Sequence, residues 1–130
     1  MLEAIEKLYI YSDGFETNEE LYQGNDQMNY NACVTLLMVI GEECRKLSEN
    51  VKADFPTIPW RNITAMRNRI AYDYRGLDPI VPFTVIKTNL DPLKEVLIEV
   101  VQRTDYPEEK LRKILDTKYY RHIRYLIPST

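Results

Sequence analysis

Ile58-Pro59-Trp60-Arg61-Asn62-Ile63-Thr64-Ala65-Met66-Arg67-Asn68-Arg69-Ile70-Ala71-Tyr72-Asp73-Tyr74-Arg75-Gly76-Leu77-Asp78 reads as one helix with both ends punctuated. Pro56 and Pro59 break whatever precedes it. From Trp60, the residues Ile63, Met66, Arg67, Ile70 and Ala71 recur at steps of three and four. That is the period of a single helical face, and it predicts a helix from about 60 to 73. Gly76 suits a left-handed cap and Pro79 blocks continuation, so the helix should end near Tyr74-Arg75-Gly76.

Toward the N-terminus, the span from Asp26 to about Ser48 contains no proline. Tyr30, Cys33, Val34, Leu37, Met38, Gly41, Cys44 and Leu47 form a continuous apolar stripe along it. This predicts a long central helix. Glycine inside a helix costs about 1 kcal/mol relative to alanine, so Gly41 points to a close helix crossing. Leu2, Ile5, Leu8 and Tyr9 predict a first helix over 2–11, ended by Ser12-Asp13-Gly14. Thr17-Asn18-Glu19-Glu20 is a capping sequence for a brief helix at about 18–23. Toward the C-terminus, Val85, Ile86, Leu90, Leu93, Val96, Leu97, Val100 and Val101 predict a helix from about 82 to 102, kinked or split at Pro92. Residues 107–126 open with Pro-Glu-Glu and close in Lys and Arg, an order that suits the helix dipole and predicts a C-terminal helix. Strand-like alternation is lacking. The expected fold is all-α, an up-and-down bundle of four to five helices over 1–103 with a C-terminal helical extension over 104–130.

The 130 residues and 15.4 kDa are enough for one core and not for two domains. With 45% apolar and 28% charged residues the composition is that of a globular chain. No apolar run approaches the roughly 18 to 20 residues of a membrane-spanning helix. The first residues are acidic and amphipathic, unlike a secretory signal, which leads us to expect a cytoplasmic protein. Cys33 and Cys44 would lie roughly 16 Å apart along one helix, too far to bridge, and are expected as free thiols. The net charge of -3 hides an asymmetry. Residues 1–54 hold four Lys/Arg against eleven Asp/Glu, while 55–130 hold thirteen against nine. An acidic chain does not coat nucleic acid nonspecifically, but its second half has room for a local basic surface.

The punctuated helix also carries a motif. Arg67-Asn68 opens it and Tyr74 closes it; Ile40-Gly41-Glu42 and the lead-in Phe55-Pro56-Thr57-Ile58-Pro59-Trp60 accompany it. Together these residues resemble the HepT-type branch of the HEPN superfamily. That branch is marked by an arginine, four to six residues, a histidine, one residue and a tyrosine, in an Arg-Asn-x-x-x-His-x-Tyr context. The resemblance runs from about residue 1 to about 101. It implies a HEPN-like homodimer whose two motif helices form one RNA-cleaving cleft. It also implies a metal-independent endoribonuclease toxin acting on RNA, with tRNA the implied class, and needing no cofactor. The implied partner is a minimal nucleotidyltransferase antitoxin. On this likeness Arg67 binds the scissile phosphate, Asn68 orients its neighbour at 72, and Tyr74 is the hydroxyl that the antitoxin adenylylates.

Position 72, where the family has histidine, is tyrosine here. RNA cleavage without metal needs a base that titrates near neutrality and a cation for the phosphoryl oxygens. Imidazole titrates at about 6.5 and a phenol at about 10, so Tyr72 is a poor replacement and the chain is expected to be weakened or inactive.

Arg61, Arg69 and Arg75 join Arg67 to set four cations against Asp73 alone between 61 and 75. Such a stripe can track an RNA backbone, although charge clusters of this size are also ordinary solvated faces. Glu42 and Glu43 read either as a polar face or as partners for the motif arginines. His122, the one histidine, sits in the basic, tyrosine-rich segment Lys118–Tyr125, outside the region of likeness. That segment could stack on RNA or meet the antitoxin. Two cysteines and one histidine make no recognised zinc spacing, and no glycine-rich phosphate loop is present. The competing reading is a noncatalytic helical module that binds RNA or a nucleotidyltransferase; a purely structural dimer is the third.

Overall fold

The computed structural model describes residues 1–104 and 106–127. Its elements are helical throughout, with no strand among the described residues. The first helix, α1 (Leu2–Ser12), ends where Gly14 takes a φ of 85°, a left-handed conformation open to glycine. The second, α2 (Asn18–Gln23), is capped as its sequence requires. The Thr17 hydroxyl accepts the Glu20 amide at 3.1 Å, and the Glu20 carboxylate takes the Glu16 amide at 2.9 Å.

The central helix, α3 (Met28–Lys46), starts two residues later than predicted. Asn25, Asp26 and Gln27 have φ values of 49°, 57° and 67°, and close a left-handed 3-10 turn over Gly24–Gln27 that an α-helix cannot enter directly. Asn29 fastens this turn. Its carbonyl accepts the Asn25 amide group at 2.8 Å, and its own amide group donates to the Tyr11 carbonyl at 2.9 Å. A short helix, α4 (Glu49–Asp54), was not anticipated; the Ser48 hydroxyl caps it by accepting the Val51 amide at 3.2 Å.

The punctuated helix is α5 (Trp60–Tyr72). The span predicted as one helix over 82–102 is two, α6 (Ile80–Thr88) and α7 (Leu90–Arg103). Pro92 has no amide for the Thr88 carbonyl and its ring would collide with it, so the break falls at Asn89, about a turn ahead of the proline. The C-terminal helix is likewise corrected. It is α8 (Glu108–Leu115) followed by a 3-10 segment, Lys118–Leu126. Thr117 is extended, and the Arg124 guanidinium donates to the carbonyls of Leu115 and Asp116 at 3.0 and 3.1 Å, which caps α8 and turns the chain back. Of the extension expected over 104–130, residues 105 and 128–130 lie outside those described.

The layers are set by α3, which packs most extensively against α5 and α1. Cys33, Val34, Leu37, Ile40 and Cys44 of α3 meet Ile5 and Leu8 of α1, Ile63, Met66 and Ile70 of α5, and Leu90, Leu93 and Leu97 of α7 in one core. The 3-10 tail packs on α1 and α8. Tyr125 donates to Glu6 at 3.2 Å, and Lys94, paired with Glu6 at 2.6 Å, lies over the rings of Tyr9 and Tyr125. Among the described residues no helix is long and apolar enough to cross a membrane.

Candidate functional site

The site begins at the crossing of α3 and α5. A Cβ on Gly41 would stand 2.6 Å from Arg67 Cβ and 3.0 Å from the Ile63 carbonyl oxygen, so only a hydrogen atom fits and the two helices touch. This contact sets Glu42 beside Arg67. Arg67 Nε lies 3.2 Å from Glu42 Oε2, and Arg67 Nη1 donates to Asn68 Oδ1 at 3.2 Å. The other oxygen of Glu42 accepts Arg45 Nη2 at 2.6 Å. That hydrogen bond, ahead of the charges of Arg45 and Arg67, holds the Glu42 carboxyl below its ordinary value against the opposing effect of desolvation. Arg67 is thus held by a carboxylate, the anion that a phosphate would have to displace.

The remaining motif residues lie elsewhere on α5. At about 100° per residue, Arg61 and Arg69 fall within about 80° of each other, while Arg67 falls on the far side, toward α3. The four cations therefore do not make the single stripe expected of them: Arg61 and Arg69 face outward, Arg67 faces Glu42, and Arg75 lies beyond the helix end. Asn68, Arg69, Tyr72, Asp73, Gly76 and Leu77 line a cleft of about 370 Å³ at the C-terminal end of α5. Tyr72 is 86% exposed there. Asn68 also borders an open groove of about 650 Å³ between α4 and α5, where Arg45, Lys52 and Arg61 outnumber Glu49. The amide oxygen of Asn68, expected to orient residue 72, instead accepts the hydrogen bond from Arg67.

Tyr74 departs from expectation. An uninterrupted helix would put it on the face of Arg67, but α5 ends at Tyr72, and Asp73 adopts φ -148° and ψ 55°. The turn is closed by the Gly76 amide donating to Asp73 Oδ1 at 3.2 Å. Gly76 is not left-handed; among the described glycines only Gly14 is. A Cβ at Gly76 would stand 2.6 Å from Asp73 Oδ1, so glycine serves close approach rather than backbone angle. The turn carries the Tyr74 hydroxyl to α3, where it donates to Asn31 Oδ1. Burial, and the neighbouring Tyr22 phenol after it, raise the titration of Tyr74, with Arg75 opposing. Asn31, 43 residues away in the chain, was invisible to the sequence reading, since no periodicity links it to the motif.

His122 belongs to the tail that packs on α1 and α8. The tail tyrosines are likewise engaged within the chain: Tyr119 lies under Lys7 and Tyr125 bonds to Glu6. Cys33 and Cys44 are buried free thiols, as expected.

What the fold and site define is a class: a compact helical bundle whose polar motif sits at one helix crossing and the adjoining helix end. Residues 1–100 match the ribonuclease HepT-like family, and the chain belongs to it. A Methanocaldococcus jannaschii protein named "Putative RNase MJ1380" is 26% identical over 101 residues, which cover 78% of this chain and 89% of that protein. "Probable ribonuclease HepT" of Thermococcus cleftensis is 30% identical over 69 residues, 53% of this chain and 63% of its own length. No solved structure matches.

Proposed function

We propose that this protein is the RNA-directed half of a cytoplasmic toxin–antitoxin pair, a homodimeric HEPN endoribonuclease. Its cleavage is weak or lost because Tyr72 stands at the histidine position. The unit over 1–103 is the ribonuclease module and 104–130 its extension; RNA is the substrate, with tRNA the class implied. The observation that carries this reading is the cleft at the end of α5. There Asn68, Arg69 and Tyr72 line one opening, and Asn68 is hydrogen-bonded to Arg67.

In metal-independent cleavage a ribose 2′-oxygen attacks the adjacent phosphorus, the 5′-oxygen leaves, and the 2′-proton passes to a base. Arg67, released from Glu42, is the cation suited to the phosphoryl oxygens, because its planar fork can take two of them. The step that fails is proton removal, since position 72 carries a phenol in place of the imidazole suited to take the proton. Restoring histidine tests this. Tyr72→His is expected to cleave RNA and arrest growth on expression, while the parent does so weakly or not at all. A folded but inert Tyr72→His would instead support the noncatalytic binding module.

Tyr74 is the proposed site of adenylylation by a nucleotidyltransferase antitoxin. Its oxygen would attack the α-phosphorus of ATP, pyrophosphate would leave, and the phenolic proton would go to a base. With Tyr74 raised in titration and its hydroxyl donating to the Asn31 amide oxygen, that base belongs to the transferase. Tyr72 is the more exposed phenol and the natural rival. Incubation with the transferase and ATP, followed by peptide mass spectrometry, should show AMP that disappears in Tyr74→Phe. Loss in Tyr72→Phe instead would move the site.

A further inference from the structure

A second depression flanks α5 on the side away from α4. It is a groove of about 420 Å³ between α5 and α6, with Ile63, Met66, Val81 and Val85 among its apolar lining and Asn62 and Arg69 among its polar residues. Arg69 lines both this groove and the 370 Å³ cleft beside Tyr72, so the two openings share one cationic residue. Arg69 makes no ion pair among the described residues, in contrast to Arg67, and no hydrogen bond engages the Asn62 amide there.

We propose that the α5–α6 groove is a nucleobase subsite: an unstacked base of single-stranded RNA inserts between the two helices, Asn62 reads its edge, and Arg69 holds its phosphate at the mouth of the cleft. This rests on the RNA reading above and specifies the form of RNA taken.

The chemistry favours that occupant. A base is a flat apolar plate about 3.4 Å thick with donors and acceptors confined to its rim. A groove lined by aliphatic side chains, with an amide among its polar residues, suits it, because an amide both donates and accepts. The phosphate that follows the base is an anion, and Arg69 is the unpaired cation at the shared rim. Duplex RNA keeps its bases stacked and paired, so it offers nothing to insert. The groove therefore selects loops and single strands.

The test uses the whole protein, a fluorescent oligouridylate, an oligoadenylate and an abasic ribose–phosphate oligomer of equal length, with affinity read by anisotropy. Apolar burial of the base and one hydrogen bond to Asn62 add to the phosphate contacts, so one of the two base-bearing oligomers should bind at least about fivefold more tightly than the abasic one. Asn62→Ala and the groove-filling Val81→Trp should erase that advantage while leaving abasic affinity unchanged, and circular dichroism checks that each variant is folded. Arg69→Ala should weaken all three oligomers and reduce the salt slope by about one. Equal binding of abasic and base-bearing oligomers overturns the subsite and leaves RNA binding standing. Binding of none removes the RNA reading and the subsite with it. If Val81→Trp converts a dimer to a monomer in sedimentation, a second copy of the chain occupies the groove and the nucleobase assignment falls.

Discussion

Replacing Gly41 by alanine should destabilise this protein, against the usual effect of the substitution. In an unobstructed helix, glycine to alanine gains about 0.8 to 1 kcal/mol from propensity and the lost freedom of the unfolded chain. At position 41 the added carbon meets Arg67 Cβ at 2.6 Å and the Ile63 carbonyl at 3.0 Å. Neither is the loose end of a flexible side chain. The backbones of α3 and α5 must therefore separate, and with them the most extensive helix pair in the molecule. Overpacking of this kind costs about 1 to 3 kcal/mol. Taking the upper half of that range, because backbone atoms are involved, leaves a net loss of about 1 to 2 kcal/mol. For a chain of this length that lowers Tm by about 4 to 7 °C. Urea unfolding followed by circular dichroism reads the same change as a lower midpoint at constant slope. A variant as stable as the parent would refute the close crossing and the reasoning built on it.

The Glu42 carboxyl titrates below its ordinary value because of Arg45 first and Arg67 after it, so folding favours its ionised form. Such a group contributes stability that is full above the unfolded pKa, about 4.3, and is lost as pH falls through the folded value. The urea midpoints of parent and Glu42→Gln should differ at neutral pH and converge in acid; divergence in acid would reverse the sign of the argument. Arg67→Ala should weaken RNA binding and flatten its salt dependence by about one unit of slope, whereas an unchanged slope would make Arg67 purely structural. Burial pushes the thiols of Cys33 and Cys44 up to about 11. At about pH 8 only on the order of one in a thousand would be thiolate, so an aromatic disulfide reagent should react in urea and not with the native protein. Labelling of the native chain within minutes would contradict their burial.

Features governed by local chemistry were legible in the chain itself. Thr17 and Glu20 were readable as a cap because a hydroxyl and a carboxylate at that spacing have one favourable use, and Gly41 was readable as a crossing because nothing else excuses glycine on an apolar stripe. The misreadings share a cause: each depends on a partner distant in sequence or on a choice between nearly equal backbone states. Pro92 announced a break, but its position at Asn89 follows from which carbonyl the ring would strike. Gly76 looked like a left-handed cap, yet its role is to let the Asp73 carboxylate approach. The C-terminal helix breaks at Thr117, where Arg124 competes for the last carbonyls of α8, a long side chain nine residues from the first of the two it caps. At the site, Glu42 was among the candidates for Arg67, whereas the separation of Arg67 from Arg69 around α5 emerges only once the helix is docked.

The end of α5 at Tyr72 has a consequence for how the two motif tyrosines relate. Had the helix continued, Tyr74 would have shared a face with Arg67, and any change at either residue would have disturbed the other. The Asp73–Gly76 turn separates them: Tyr72 projects into solvent at the cleft, while Tyr74 swings to α3 and bonds to Asn31. Tyr72 makes no hydrogen bond on which that arrangement depends among the described residues. Exchanging the residue at 72, in either direction between histidine and tyrosine, therefore alters the chemistry offered at the cleft without moving the hydroxyl of Tyr74. A change at the proposed base position and retention of the phenol proposed for adenylylation are compatible in one fold because a single non-helical residue, Asp73, stands between them.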